Sequence, residues 1–198
     1  MSFNTKGHNV EETSFVSTYL SPGVHEAKVQ KIEYFEAASG TPGMKITHEG
    51  RPMEDLGGAG QVAETTWWLS DNAWKFTRDR LVIMADKLGV RSELDSIDVE
   101  NAEEYARALD TIFKNKVGRW KFAGEEILGK EGKQNWFKAG LAAFGFVESV
   151  DTTPSKLKFD ETNKYDMKKL PVADSETASS NGTTATAAVS SHNDDPWS

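Results

Sequence analysis

With 198 residues, 37% of them hydrophobic, and a formal net charge of −8, the chain can build one sizeable core; its acidic balance argues against a polyanionic partner unless the charges are unevenly placed. The absence of cysteine excludes disulfides, thiolate nucleophiles and cysteine-rich zinc sites. No apolar run reaches the roughly 18 residues of a membrane span, and the opening MSFNTKGHNVEETSF lacks the apolar stretch of a secretory signal, so no membrane association and a cytoplasmic location are expected.

Residues 1–19 are polar and read as a flexible arm that joins the fold near Tyr19 and Leu20. Ser21-Pro22-Gly23 is a turn signal, and GVHEAKVQKIEY after it reads as a strand. Ala27 and Val29 share one parity while Ile32 and Tyr34 share the other, which calls for a bulge or strong twist near Gln30-Lys31. After a turn at Ser39 to Gly43, MKITHE gives a second strand, a long Gly- and Pro-containing loop covers residues 50–60, and VAETTWWL gives a third strand. At Ser70 the period changes. Trp74, Thr77, Leu81, Ala85 and Leu88 recur at three- and four-residue steps, predicting a helix near residues 71–88 that Gly89 stops. A second helix is expected near residues 101–115, with Tyr105, Ala108, Leu109 and Ile112 on its apolar side and Glu103-Glu104 in its first turn, where the helix dipole favours acids. Strands return at VGRWKFA and QNWFK with a polar hairpin connection between them, and residues 141–150 hold a last strand or an irregular segment. Residues 154–170 are charged and weakly patterned, and residues 171–198 have the Ser/Thr/Ala/Asn bias expected of a disordered tail.

Strands, two helices, strands and a tail make the chain mainly β with a helical insertion, an α+β protein. Over residues 20–170 this order fits a five-stranded, partly open barrel of the oligonucleotide-binding kind, and period alone equally permits another α+β sheet. Enzyme signatures are scarce. Gly57-Gly58-Ala59-Gly60 is followed by no Lys-Ser/Thr and leads into a strand, so it reads as a loop rather than a phosphate cradle. The four histidines are scattered and the carboxylates have no nuclease or metal spacing; His25 and His48, on neighbouring strands, read as a satisfied structural pair. No catalytic residue, metal or cofactor is expected.

The interleaving of aromatic and basic residues is more informative. In Gly118-Arg119-Trp120-Lys121-Phe122, the two rings share one strand face and the two cations the other. Trp136-Phe137-Lys138 offers a second aromatic pair beside a lysine, and Trp67 and Trp68 point to opposite faces of their strand. Binders of single strands need flat rings, on which bases stack for about 1–3 kcal/mol each, together with cations for the phosphates. Arg78 and Arg80 on the first helix add to those cations, although the interspersed Asp71, Asp79 and Asp86 equally describe a solvated face. The competing reading of the rings is ordinary core, above all for Trp120, Phe122 and one of Trp67 and Trp68.

Half of the net charge lies beyond residue 170, where Asp174, Glu176, Asp194 and Asp195 occur with no Lys or Arg; a near-balanced body can still present a basic groove. The chain ends in Asp194-Asp195-Pro196-Trp197-Ser198. A bulky ring behind acids at a chain end has no core to join. It reads as a peptide ligand, with Trp197 in an apolar pocket of a partner and the acids at the pocket's basic rim.

A binding domain, a polar linker and an acidic tip with a proline and an aromatic together resemble single-stranded DNA-binding proteins of the bacteriophage type. Asp194 and Asp195 match the acids of the familiar bacterial tip, Pro196 its proline, and Trp197 stands where that tip has phenylalanine; Ser198 is additional. The run from Leu20 to Gly50 and on to Val90 is similar to small phage replication proteins of the barrel type. The resemblance implies sequence-independent binding and protection of single-stranded DNA in replication, recombination or repair, as a monomer or small homo-oligomer. It further implies recruitment of a polymerase, primase or helicase through the tip. The alternative is a phage structural or host-interaction protein that uses the same fold without nucleic acid.

Overall fold

A computed structural model describes residues 17–129 and 135–170. The first strand, β1 (Gly23–Glu36), is followed by β2 (Pro42–Pro52), a short 3-10 turn at Glu54–Leu56, and β3 (Gly60–Trp68). Three helices intervene: α1 (Asp71–Leu88), α2 (Arg91–Asp95) and α3 (Ala102–Phe113). The chain then returns to strands β4 (Val117–Ile127), β5 (Trp136–Leu141), β6 (Val147–Glu148) and β7 (Met167–Lys168). The fold is mainly β with a helical insertion. Compared with the sequence reading, β2, β4 and β5 are longer or shifted, α2 is an addition, and the segment at 141–150 is strand only at Leu141, the end of β5, and at Val147–Glu148.

The sheet runs β3-β2-β1-β4-β5, with β6 and β7 both on β4. All pairings are antiparallel except β7 on β4. β1 serves two neighbours in turn: Gly23 to Lys28 pair with β4, and Ala27 to Glu36 pair with β2. The hand-over coincides with a bulge, a register shift between Val29 and Lys31. One extra residue there restores Ala27, Val29 and Ile32 to a common buried face and bends the strand. Bulging frees backbone groups that need partners. The Ile32 N–H donates to Asp110 Oδ1 of α3 at 2.7 Å. Val29 exchanges hydrogen bonds with the turn after α3, from Asn115 N at 2.8 Å and to Lys116 O at 3.0 Å. The sheet curls until its outer strands meet, where the Leu141 N–H donates to Thr65 Oγ1 at 2.7 Å.

Inside the curl lie Val29, Met44, Ile46, Trp67, Trp120 and Phe122, all buried. The helices close one side with Leu81, Met84, Leu109 and Phe113, each fully buried and each stabilising by about 1.5–3 kcal/mol. Gly89, left-handed at φ 69°, ends α1, and Asn101 caps α3 by accepting from Glu104 N at 2.8 Å. The expected pairing of His25 and His48 does not form. The His25 imidazole lies 2.9 Å from Ser21 O, whereas both ring nitrogens of His48 are buried without a partner among the described residues. Phe122 separates the two in the packing, its ring centre 6.0 Å from that of His25 and 5.4 Å from that of His48. No described helix is long and apolar enough to cross a membrane.

Candidate nucleic-acid interface

On the outer face of β1, β2 and β3, pleating aligns residues of one parity across the strands. Phe35, Gly43 and Trp68 form one such row, Glu33, Lys45 and Thr66 the next, and Lys31, Thr47 and Glu64 the third. In the first row the glycine is required by its neighbours. A Cβ on Gly43 would come within 2.7 Å of Phe35 Cζ and 3.1 Å of Trp68 Cε3. The two rings therefore meet over bare backbone, with centres 5.4 Å apart and planes at 63°. Trp68 remains 39% exposed while its neighbour Trp67 is 2% exposed, so the alternation of the Trp-Trp pair sends the second ring outward. The cations beside this aromatic row are paired: Lys31 with Glu33 at 2.8 Å, Lys45 with Glu64 at 3.6 Å and Lys28 with Glu49 at 2.9 Å.

Trp120 and Phe122 are fully enclosed, and the Trp120 indole N–H donates to Ala27 O at 2.8 Å. Neither ring, nor buried Trp67, is reachable by a base; these three belong to the core. Arg119 and Lys121 do share the opposite face of β4, as strand parity requires, but that face is covered. Residues 149–168 cross it as a strap. Arg119 reaches Glu148 at 2.8 Å and Glu26 at 3.5 Å, and donates to the carbonyls of Thr152 and Val150. Lys121 reaches Asp166 at 2.8 Å, whose other oxygen accepts from Asp160 N at 3.0 Å. Burial opposes the charge of Glu148, but hydrogen bonds from Ser155, Arg119 and the Lys156 N–H outweigh it and bring the carboxyl down to about 2. These two cations anchor the strap and leave no fork for a phosphate.

At the other hairpin, Leu128 is 72% and Trp136 52% exposed on either side of residues outside the described set. Phe137 is half-buried, and Lys138 is exposed opposite Glu125. On α1, exposed Arg78 lies 3.7 Å from Asp79, while Arg80 is half-buried with its guanidinium 5.8 Å above the centre of the Trp67 ring. Burial pushes the Arg80 pKa below its ordinary value. The tail residues Asp194, Asp195, Pro196 and Trp197 lie outside the described residues, as does the expected arm up to residue 16.

The structure thus brings Trp68 together with Phe35, a ring the sequence reading did not single out. The signal was present: once the bulge is counted, Phe35 has the outward parity of Lys31 and Glu33. Exposed Phe76 and Phe144, 49% and 65% accessible, were also passed over. Phe76 precedes Thr77, whose hydroxyl donates to Trp68 O at 2.7 Å, so the first turns of α1 abut the end of β3. No protein-family model matches this chain, and no curated protein matches its sequence.

Proposed function

We propose that this chain binds single-stranded DNA without sequence preference, coating and protecting it during replication, recombination or repair. The observation that carries the reading is the Trp68–Phe35 pair, which meets edge to face over Gly43 on the outer face of β1–β3. The topology supports it. A three-strand meander, helices, and two further strands that bring β5 against β3 follow the plan of the partly open oligonucleotide-binding barrel. In that architecture the second- and third-strand face and the two hairpin loops take the ligand. Trp68 lies on that face, and Leu128 and Trp136 flank the second of those loops. Stacking on rings is tolerant of sequence because every base has a π-face. Under this reading the acidic tip ending in Trp197 recruits a replication protein such as a polymerase, primase or helicase, and the chain works as a monomer or small homo-oligomer in the cytoplasm.

The test is tryptophan fluorescence titrated with oligo-dT, for the full chain and for one ending after Leu170. Saturable quenching that salt weakens, retained without the tail, supports strand binding by the domain. No quenching and no electrophoretic shift at low salt would remove it. One observation favours a second reading, a protein-binding module of a phage particle or of a host contact: the cations of the sheet face are already neutralised by Glu33, Glu49 and Glu64. That reading predicts no affinity for any oligonucleotide.

A further inference from the structure

The cations of the sheet, Lys28, Lys31, Lys45, Arg119 and Lys121, each lie against a carboxylate. Arg80 differs. Its guanidinium is half-buried over the Trp67 ring, and among the described residues no carboxylate or other acceptor lies within bonding distance of it. The buried indole N–H of that same Trp67 ring also has no acceptor among the described residues. A desolvated guanidinium costs free energy unless an anion completes it, and a planar fork backed by a ring is pre-organised for phosphate. Arg80 also has a neighbour suited to a nucleotide: Phe76, one helical turn earlier on the same face of α1, presents a ring 49% exposed. The Thr77–Trp68 hydrogen bond ties the start of α1 to the end of β3, the strand that carries both outward Trp68 and the Trp67 ring over which Arg80 sits.

We infer that Arg80 seats a backbone phosphate of the bound strand, extending the site from the sheet onto helix α1. The inference rests on the single-strand reading and assigns one electrostatic contact within it. The test measures anisotropy of a labelled oligo-dT against full-length wild type, Arg80→Met, Arg80→Lys and Trp68→Ala over a series of NaCl concentrations. Methionine keeps the stem over Trp67 and deletes the charge. Arg80→Met is expected to bind about tenfold more weakly at low salt, with the slope of log affinity against log salt shallower by about 0.7, one single-strand phosphate contact. Arg80→Lys should keep the wild-type slope while losing part of the affinity. Trp68→Ala should lose affinity with its slope unchanged. An Arg80→Met protein that melts as wild type and binds with unchanged affinity and slope overturns the phosphate seat and leaves strand binding standing. Absence of binding by wild type overturns both.

Discussion

His48 offers the most quantitative check on the interior. Its ring is fully buried, packed edge-on against Trp120 at 4.4 Å and Phe122 at 5.4 Å, and neither nitrogen has a partner among the described residues. Burial pushes its pKa down from the ordinary 6.5 to about 3. The folded pKa lies below the unfolded one, so the unfolded chain binds the proton more readily. The contribution is therefore intact above pH 6.5 and is lost as pH falls from 6.5 toward 3. Linkage over that interval gives about 2 kcal/mol of lost stability at pH 5 relative to pH 7.5. Replacing His48 with Leu removes the titrating group and the two orphaned nitrogens while keeping a side chain of similar bulk. At pH 7.5 His48→Leu should match or exceed wild type, since unsatisfied buried groups cost about 1–3 kcal/mol. Between pH 7.5 and 5 it should lose about 2 kcal/mol less than wild type in urea unfolding followed by tryptophan emission. Equal losses in the two proteins would mean that His48 meets solvent or a counter-charge in the folded chain, and the packing argument would fail.

Other expectations follow from the same contacts. Trp68→Ala should lower oligo-dT affinity about 5- to 150-fold, the loss of one stacked base, measured by anisotropy at fixed salt. Glu148→Gln should lower the melting temperature by roughly 5 °C or more, because it leaves Arg119 short of its closest partner and unpins the strap. Wild type carries the Glu148 contribution above its unfolded pKa near 4.5 and loses it as pH falls toward 2, so the difference between the two proteins should shrink in acid. Gly124→Ala would place a Cβ 2.6 Å from Pro22 Cγ and 2.7 Å from Met167 Sδ, where β7 pairs with β4. Overpacking there should cost about 1–3 kcal/mol and make residues 149–170 more sensitive to limited proteolysis.

The sequence revealed those features of the fold that carry a local period. The parity break between Val29 and Ile32 called for a bulge, and the register shift lies there. The three- and four-residue steps from Trp74 to Leu88 marked α1 in full, and alternation put Trp67 and Trp68 on opposite faces without saying which of them is buried. What escaped the reading depends on partners distant in sequence. Arg119 and Lys121 were correctly placed on one strand face, but nothing local says that Glu148 and Asp166 fold back across it. Asp166 lies in a charged segment without periodicity and Glu148 is a lone acid in the short strand before it, so the strap's placement is decided by ion pairs rather than by an amphipathic stripe. Phe35 was hidden for a related reason, since its outward parity holds only after the bulge is counted.

These placements also decide what kind of binder the domain would be. The outer face of β4 is covered by the strap, and the cations of the β1–β3 face are matched by glutamates. Stacking on Trp68, Phe35 and Trp136 must then supply most of the affinity, with few phosphates neutralised. Two or three such contacts, Arg80 among them, predict a slope of log affinity against log salt of about −1.5 to −2. Oligo-dT titrations from low to physiological salt measure it directly. A slope of about −5 or steeper would mean that the ion pairs of the sheet open to release their lysines to the strand, or that cations elsewhere in the chain carry the contact. Double replacement of Lys31 and Lys45 by Met separates these cases: it should leave a shallow slope unchanged, and it would flatten a steep one only if the sheet lysines are its source.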